Sequence, residues 1–93
     1  MKHYIIAKFK EGTDFRALED PVRHIFDETL NINGIYDVDI RLSNSERENR
    51  YDMMIVIDMD KEALPEYDAS EPHHRWKSEY GHLIEKKAIF DCD

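Results

Sequence analysis

Apolar and polar residues alternate from Lys2 to Lys10. His3, Ile5, Ala7 and Phe9 fall on one side, and Tyr4 and Ile6 share the other with Lys8 and Lys10. A period of two predicts a half-buried strand. After the Glu11-Gly12-Thr13-Asp14 turn, Thr13 or Asp14 is suited to cap a helix. From Phe15 to about Leu30 apolar residues recur at helical spacing: Leu18, Val22, Ile25 and Phe26, with Thr29. Pro21 lies inside that pattern and removes a backbone donor, so the helix is expected to kink or to start late.

Asn33-Gly34 marks a turn. Ile35 to Leu42 alternates again, with Tyr36, Val38, Ile40 and Leu42 expected inward and Asp37, Asp39 and Arg41 outward. Ser43 to Arg50 is polar without a period and reads as an exposed connection. Tyr51 to Met59 predicts a third strand, with Met53, Ile55, Ile57 and Met59 on one side and Met54 and Val56 on the other. Lys61 to Tyr67 is a short helical piece broken by Pro65. Pro72 to Ile84 is a second main helix, proline being suited to a first turn, and Lys87 to Cys92 a fourth strand. The order is β-α-β-β-α-β, the pattern of ferredoxin-like α+β folds with an antiparallel sheet and both main helices on one face.

The opposite face of such a sheet is normally polar. Here Tyr4, Ile6, Met54, Val56, Ala88 and Phe90 occupy its alternate positions. An apolar patch of that kind marks an interaction site. The simplest burial is sheet against sheet in a two-fold homodimer.

Length and charge narrow the classes. With 93 residues the chain reads as one domain, and a chain this short buries only about 60–65% of its extended surface. A net charge of -8 argues against nucleic acid and anionic membranes. No apolar run nears the roughly 20 residues of a membrane span. The N-terminal stretch does not resemble a signal peptide, and Cys92 is the only cysteine, so the expected location is the cytoplasm. No HxxxH or CxxC spacing and no EF-hand pattern occurs, so no metal site is expected. Asp58, Asp60, Glu62, Asp91 and Asp93 read as a solvated rim. Gly12, Gly34 and Gly81 are too widely spaced to cradle a phosphate, and no motif implies a cofactor.

Candidate chemistry concentrates between Glu66 and Trp76, where Tyr67, His73, His74 and Trp76 surround Pro72. Tyrosine and histidine are a usual pair for moving protons. The cluster is either the lip of a pocket or the polar decoration of a helix end. His73 and His74 lie about 100° apart on a helix, so only one can face a pocket; His73 is the one expected in solvent. His3 sits among apolar neighbours and must find a polar partner if buried, with Tyr67 or His74 as the partner to look for. Trp76 and Tyr80, four apart, are expected to stack.

Three segments together resemble the stress-responsive, or dimeric, α/β-barrel domain family across essentially the whole chain. They are Lys2-His3-Tyr4-Ile5-Ile6-Ala7-Lys8-Phe9-Lys10, the Tyr67 to His74 stretch, and the closing Lys86-Lys87-Ala88-Ile89-Phe90-Asp91. Glu71 stands where the family's H-P-x-H helix start has its first histidine, and the Tyr67–Pro72 interval is one residue longer. The resemblance implies a homodimer whose sheets pack into a barrel, with a pocket for a small apolar or aromatic ligand between sheet and helices. Its walls would come from His3, Ile5, Ala7, Val38, Met53, Ile55 and Ile89 on the sheet and from Val22, Ile25 and Phe26 on the first helix. It further implies, by analogy with a polyketide-cyclase branch, an acid–base pair at Tyr67 and His74, with His3 as helper and no cofactor. Most members of the family have no assigned reaction.

Overall fold

The alternating stretches form four strands and the helical pattern breaks into three helices. A computed structural model describes residues 1–93, running β1 (Lys2–Phe9), α1 (Glu19–Asp27), β2 (Ile35–Leu42), β3 (Met53–Met59), α2 (Leu64–Asp68), α3 (Glu71–Tyr80) and β4 (Ile84–Cys92). The strands make one antiparallel sheet in the order β2-β3-β1-β4. The fold is ferredoxin-like α+β, and neither β2 nor β4 has a neighbour on its outer edge.

Pro21 delays α1; it does not kink it. Asp14 caps a 3-10 turn over Phe15–Leu18, its Oδ1 accepting from the Ala17 N–H at 3.4 Å. The α-helix then opens at Glu19, which places Pro21 in the first turn. Donors there have no intrahelical partner, so the missing N–H costs little. Pro65 likewise lies at the start of α2 and Pro72 at the start of α3. Gly34, at φ 92°, turns the chain into β2.

The side of the sheet carrying His3, Ile5, Ala7, Phe9, Met53, Ile55, Ile57 and Met59 is buried beneath the helices. Val22, Ile25, Phe26, Tyr67 and Trp76 cover it. Phe26 and Trp76 meet edge to face at 5.4 Å, and Trp76 and Tyr80 lie 6.0 Å apart. Such aromatic contacts add about 0.5–1.5 kcal/mol each beyond their area.

Two expectations of detail change. Tyr36 faces solvent at 63% exposure, because the β2–β3 register slips between Ile35 and Asp37. One extra residue reverses the side that the chain presents, and the Tyr36 hydroxyl donates instead to Asp60 at 2.7 Å. β3 opens at Met53, not Tyr51. The Asp52 carboxylate accepts from the Phe9 N–H at 2.8 Å, and the Lys86 ammonium lies 5.3 Å from the Tyr51 ring centre.

On the outer face the register builds two cross-strand apolar rows. Tyr4 lies between Val56 and Phe90, and Ile6 between Met54 and Ala88. Phe90 is 60% exposed and the other five are half-buried. Charged side chains frame the rows: Lys2 with Asp58 at 3.2 Å and Arg41 with Asp39 at 2.8 Å. At the far end Lys8 donates to the Glu48 and Arg50 carbonyls, fastening the β2–β3 connection.

Candidate functional site

Ser70 starts α3, its hydroxyl accepting from the His73 N–H at 3.4 Å and donating to the Tyr67 carbonyl at 2.7 Å. This joins α2 and α3 with Tyr67 and His73 on the same inner side. The phase of α3 is set by Pro72 and Trp76, both buried. His73 is half-buried and packs on the Tyr67 ring at 4.9 Å between centres. His74 is exposed. The two histidines thus exchange the positions expected of them. Three residues before Trp76, His73 lies about 60° from it around the helix, whereas His74 lies about 160° away. The signal was in the sequence, in the indole that anchors the helix.

His3 is 5% exposed on β1, directly opposite Asp91 of β4. Its Nδ1 lies 2.5 Å from the Asp91 carboxylate, which accepts the imidazole proton and so orients the ring. Asp91 itself reaches solvent, and is a partner to the site where a solvated rim residue was expected. The His3 ring meets Tyr67 edge-on at 5.4 Å. The structure therefore brings together Asp91, His3, Tyr67 and His73, and leaves His74 outside.

Tyr67 is 1% exposed, and its hydroxyl is the one buried side-chain polar atom without a hydrogen-bond partner. Burial first, and then the charge of Asp68, push its pKa well above the ordinary phenol range, so the hydroxyl keeps its proton. His73 Nδ1 lies 2.8 Å from the Asp68 carbonyl. A carbonyl only accepts, so Nδ1 carries the proton and the neutral ring leaves Nε2 with a free lone pair. Burial holds the His73 pKa below its usual value, opposed by the bond to Asp68 and aided by the charges of Lys77 and Lys87.

The expected walls have no room behind them. Ile5, Ala7, Val22, Ile25, Phe26, Met53 and Ile55 are at most 2% exposed. A void able to hold even water would appear as accessible surface on them, so they form a close-packed core. Val38 is partly buried against it. Ile89 alone is open, at 50% exposure. It shares the helix-facing side of β4 with Lys87 and Asp91, opposite Ile5, Ala7 and His3 respectively in the order Ile89, Lys87, Asp91. All three are exposed, because the helices do not cover this edge strand. What stands beside the Tyr67 cluster is an open strip along β4, not an enclosed pocket. A separate polar depression of about 690 Å3, lined by Lys8, Lys10, Arg16, Arg47 and Lys86 among others, lies at the other end of β1 and contains none of these residues. No three His, Cys, Asp or Glu side chains converge to hold a metal ion. No helix is long and apolar enough to cross a membrane.

No family model matches the chain, and no curated protein matches it in sequence. Solved structures match it in fold. Protein At3g17210 of Arabidopsis thaliana superposes with a TM-score of 0.78 at 20% identity, over 99% of this chain and 92% of that one. A dimeric ferredoxin-like protein of unknown function from Thermobifida fusca gives 0.78 at 12% identity, over 96% and 85%. The hydroxynitrile lyase of Passiflora edulis gives 0.71 at 12% identity, over 96% and 87%. At these identities the likeness establishes the ferredoxin-like fold.

Proposed function

We propose that this chain is a single-domain, cytoplasmic member of the stress-responsive dimeric α/β-barrel family, self-associating through the outer face of its sheet and binding a small molecule beside β4. The observation that carries the reading is the pair of apolar rows, Val56–Tyr4–Phe90 and Met54–Ile6–Ala88, framed by charged pairs. A contiguous apolar face on a chain of net charge -8 is costly to leave wet, since burial is worth about 25 cal/mol per Å2. A second copy supplies a matching face by two-fold symmetry. The dimeric state of the Thermobifida fusca protein supports self-association of a chain with this fold. Light scattering at micromolar concentration tests it. The natural chain should weigh in as a dimer, and Val56→Lys or Ile6→Glu as a folded monomer. A natural chain that is monomeric would sink the reading.

A second reading is favoured by the unpartnered Tyr67 hydroxyl: a cofactor-independent enzyme moving protons on a polyketide-like or aromatic compound. His73, through its free Nε2, is then the base in place of His74. Tyr67 is the acid or oxyanion donor, and His3, held by Asp91, the helper. The His73 ring must swing aside for a substrate to reach Tyr67, since the hydroxyl is closed off. The test is deuterium exchange at the acidic carbon of a simple β-diketone, followed by NMR. Exchange should fall in His73→Gln and persist in His74→Gln. Equal rates in all three proteins would refute the assignment.

A further inference from the structure

Lys87, Ile89 and Asp91 alternate along β4 and so share its helix-facing side. Each is exposed, and the residues opposite them on β1 are Ala7, Ile5 and His3, which are all buried. Nothing on the neighbouring strand therefore stands above this strip. Its two ends differ in charge: an ammonium at Lys87, a carboxylate at Asp91, and an apolar side chain between them. At about 3.3 Å per residue the two ends lie roughly 13 Å apart along the strand.

A second cation comes from α3. Lys77 follows His73 by four residues on α3, hence on the same side of that helix. Both Lys77 and Lys87 act on the His73 imidazole as positive charges. Neither has an acidic partner within 4.0 Å. Only three residues join the end of α3 at Tyr80 to the start of β4 at Ile84. Lys77, nearer that end of the helix than His73, therefore lies toward the Lys87 end of the strip, and both ammonium groups are unpaired. At the other end Asp91 uses Oδ1 for His3, and its second oxygen can accept from a further donor.

We propose that the open strip along β4 binds a small, elongated, apolar or aromatic acid, with Lys87 and Lys77 anchoring its acidic group, Ile89 under its apolar body, and Asp91 accepting from a hydroxyl at the far end. This rests on the small-molecule reading above and adds to it the charge of the ligand and the direction in which it lies. An acid turned the other way meets the Asp91 carboxylate and is repelled. Lys87 and Lys77 are specificity residues, and neither takes part in chemistry.

The test uses 3-(4-hydroxyphenyl)propanoate and its neutral amide, followed by NMR at the Ile89 methyls and the His73 ring of the full chain. The acid is expected to shift both residues saturably. Its affinity should fall about fivefold in Lys87→Gln and in Lys77→Gln, the scale of a partly exposed ion pair. It should be unchanged in Lys86→Gln, which alters the other face of the same strand. The amide forgoes both ion pairs and should bind the natural chain more weakly than the acid binds either single lysine variant. If acid and amide bind equally at Ile89, the charge assignment is overturned while the small-molecule reading stands. An equal loss in Lys86→Gln overturns it as well, since general electrostatics would then explain the effect. If neither compound shifts Ile89 or His73, the small-molecule reading falls with it.

Discussion

Replacing Tyr67 with phenylalanine removes one oxygen and leaves the ring that packs between His3 and His73. In a well-satisfied core this change costs about 1 kcal/mol, because a hydrogen bond is lost. Here the hydroxyl has no partner and the residue is 1% exposed. Folding strips the group of water and returns nothing, a penalty of about 1–3 kcal/mol. Tyr67→Phe should therefore stabilise the protein by about that amount. In a chain of 93 residues each kcal/mol moves Tm by about 4–8 °C. Urea unfolding reads the gain as a higher midpoint at unchanged slope. Protein concentration must match between variants, since self-association adds to apparent stability. A variant no more stable than the natural chain would mean that the hydroxyl finds a partner in solution, and the orphaned group would be lost as a mark of function. A gain would show stability given up at a place where nothing in the packing requires an oxygen.

Three further outcomes follow from single contacts. Asp91→Ala leaves the buried His3 Nδ1–H without an acceptor and should cost about 1–3 kcal/mol in urea unfolding; Asp91→Asn keeps an oxygen there and should cost less. Gly34→Ala puts a Cβ 3.1 Å from the Ala63 Cβ and 3.3 Å from an Asp60 oxygen at φ 92°, whereas Gly12, at φ 87°, has open space. Gly12→Ala should lose only the backbone penalty of about 1–2 kcal/mol and Gly34→Ala more; equal losses would refute the close approach. For His73, burial lowers the folded-state pKa, so as pH falls the unfolded chain takes up this proton first. The contribution is whole above the unfolded-state value near 6.5 and is lost as pH falls through the folded value. The stability difference between the natural chain and His73→Gln should be flat above about pH 7 and fall below about 6.5, as urea titrations at each pH would record.

The strands were legible because a period of two survives in β1 and β3 without interruption. Burial there alternates residue by residue from Lys2 to Phe9 and from Met53 to Met59. β2 misled at Tyr36, since a register slip depends on how two strands meet, which one strand's pattern does not contain. For α1 a kink and a late start both stayed open, because apolar spacing does not distinguish a 3-10 turn from an α-turn; the late start is the one the chain adopts. The His73–His74 exchange was avoidable: taking Trp76 as the buried anchor fixes which imidazole turns inward. Asp91 was harder. Its pairing with His3 joins residues 88 apart, and only the β1–β4 register reveals it. The filled core behind the supposed pocket was likewise hidden, because side chains that can line a cavity can as readily fill it.

That separation of 88 residues also sets when the site can exist. His3 belongs to the first strand of the sheet, Tyr67 and His73 to the last helical junction, and Asp91 to the last strand. Joining β1 to β4 closes nearly the longest loop the chain contains, and such contacts are made only after much entropy has been surrendered. A folding chain can hold β1, α1, β2 and β3 together and still have no site. The Asp91–His3 bond is thus a signature of completed topology, and its formation, followed through the His3 ring in a refolding experiment, would time the docking of the final strand.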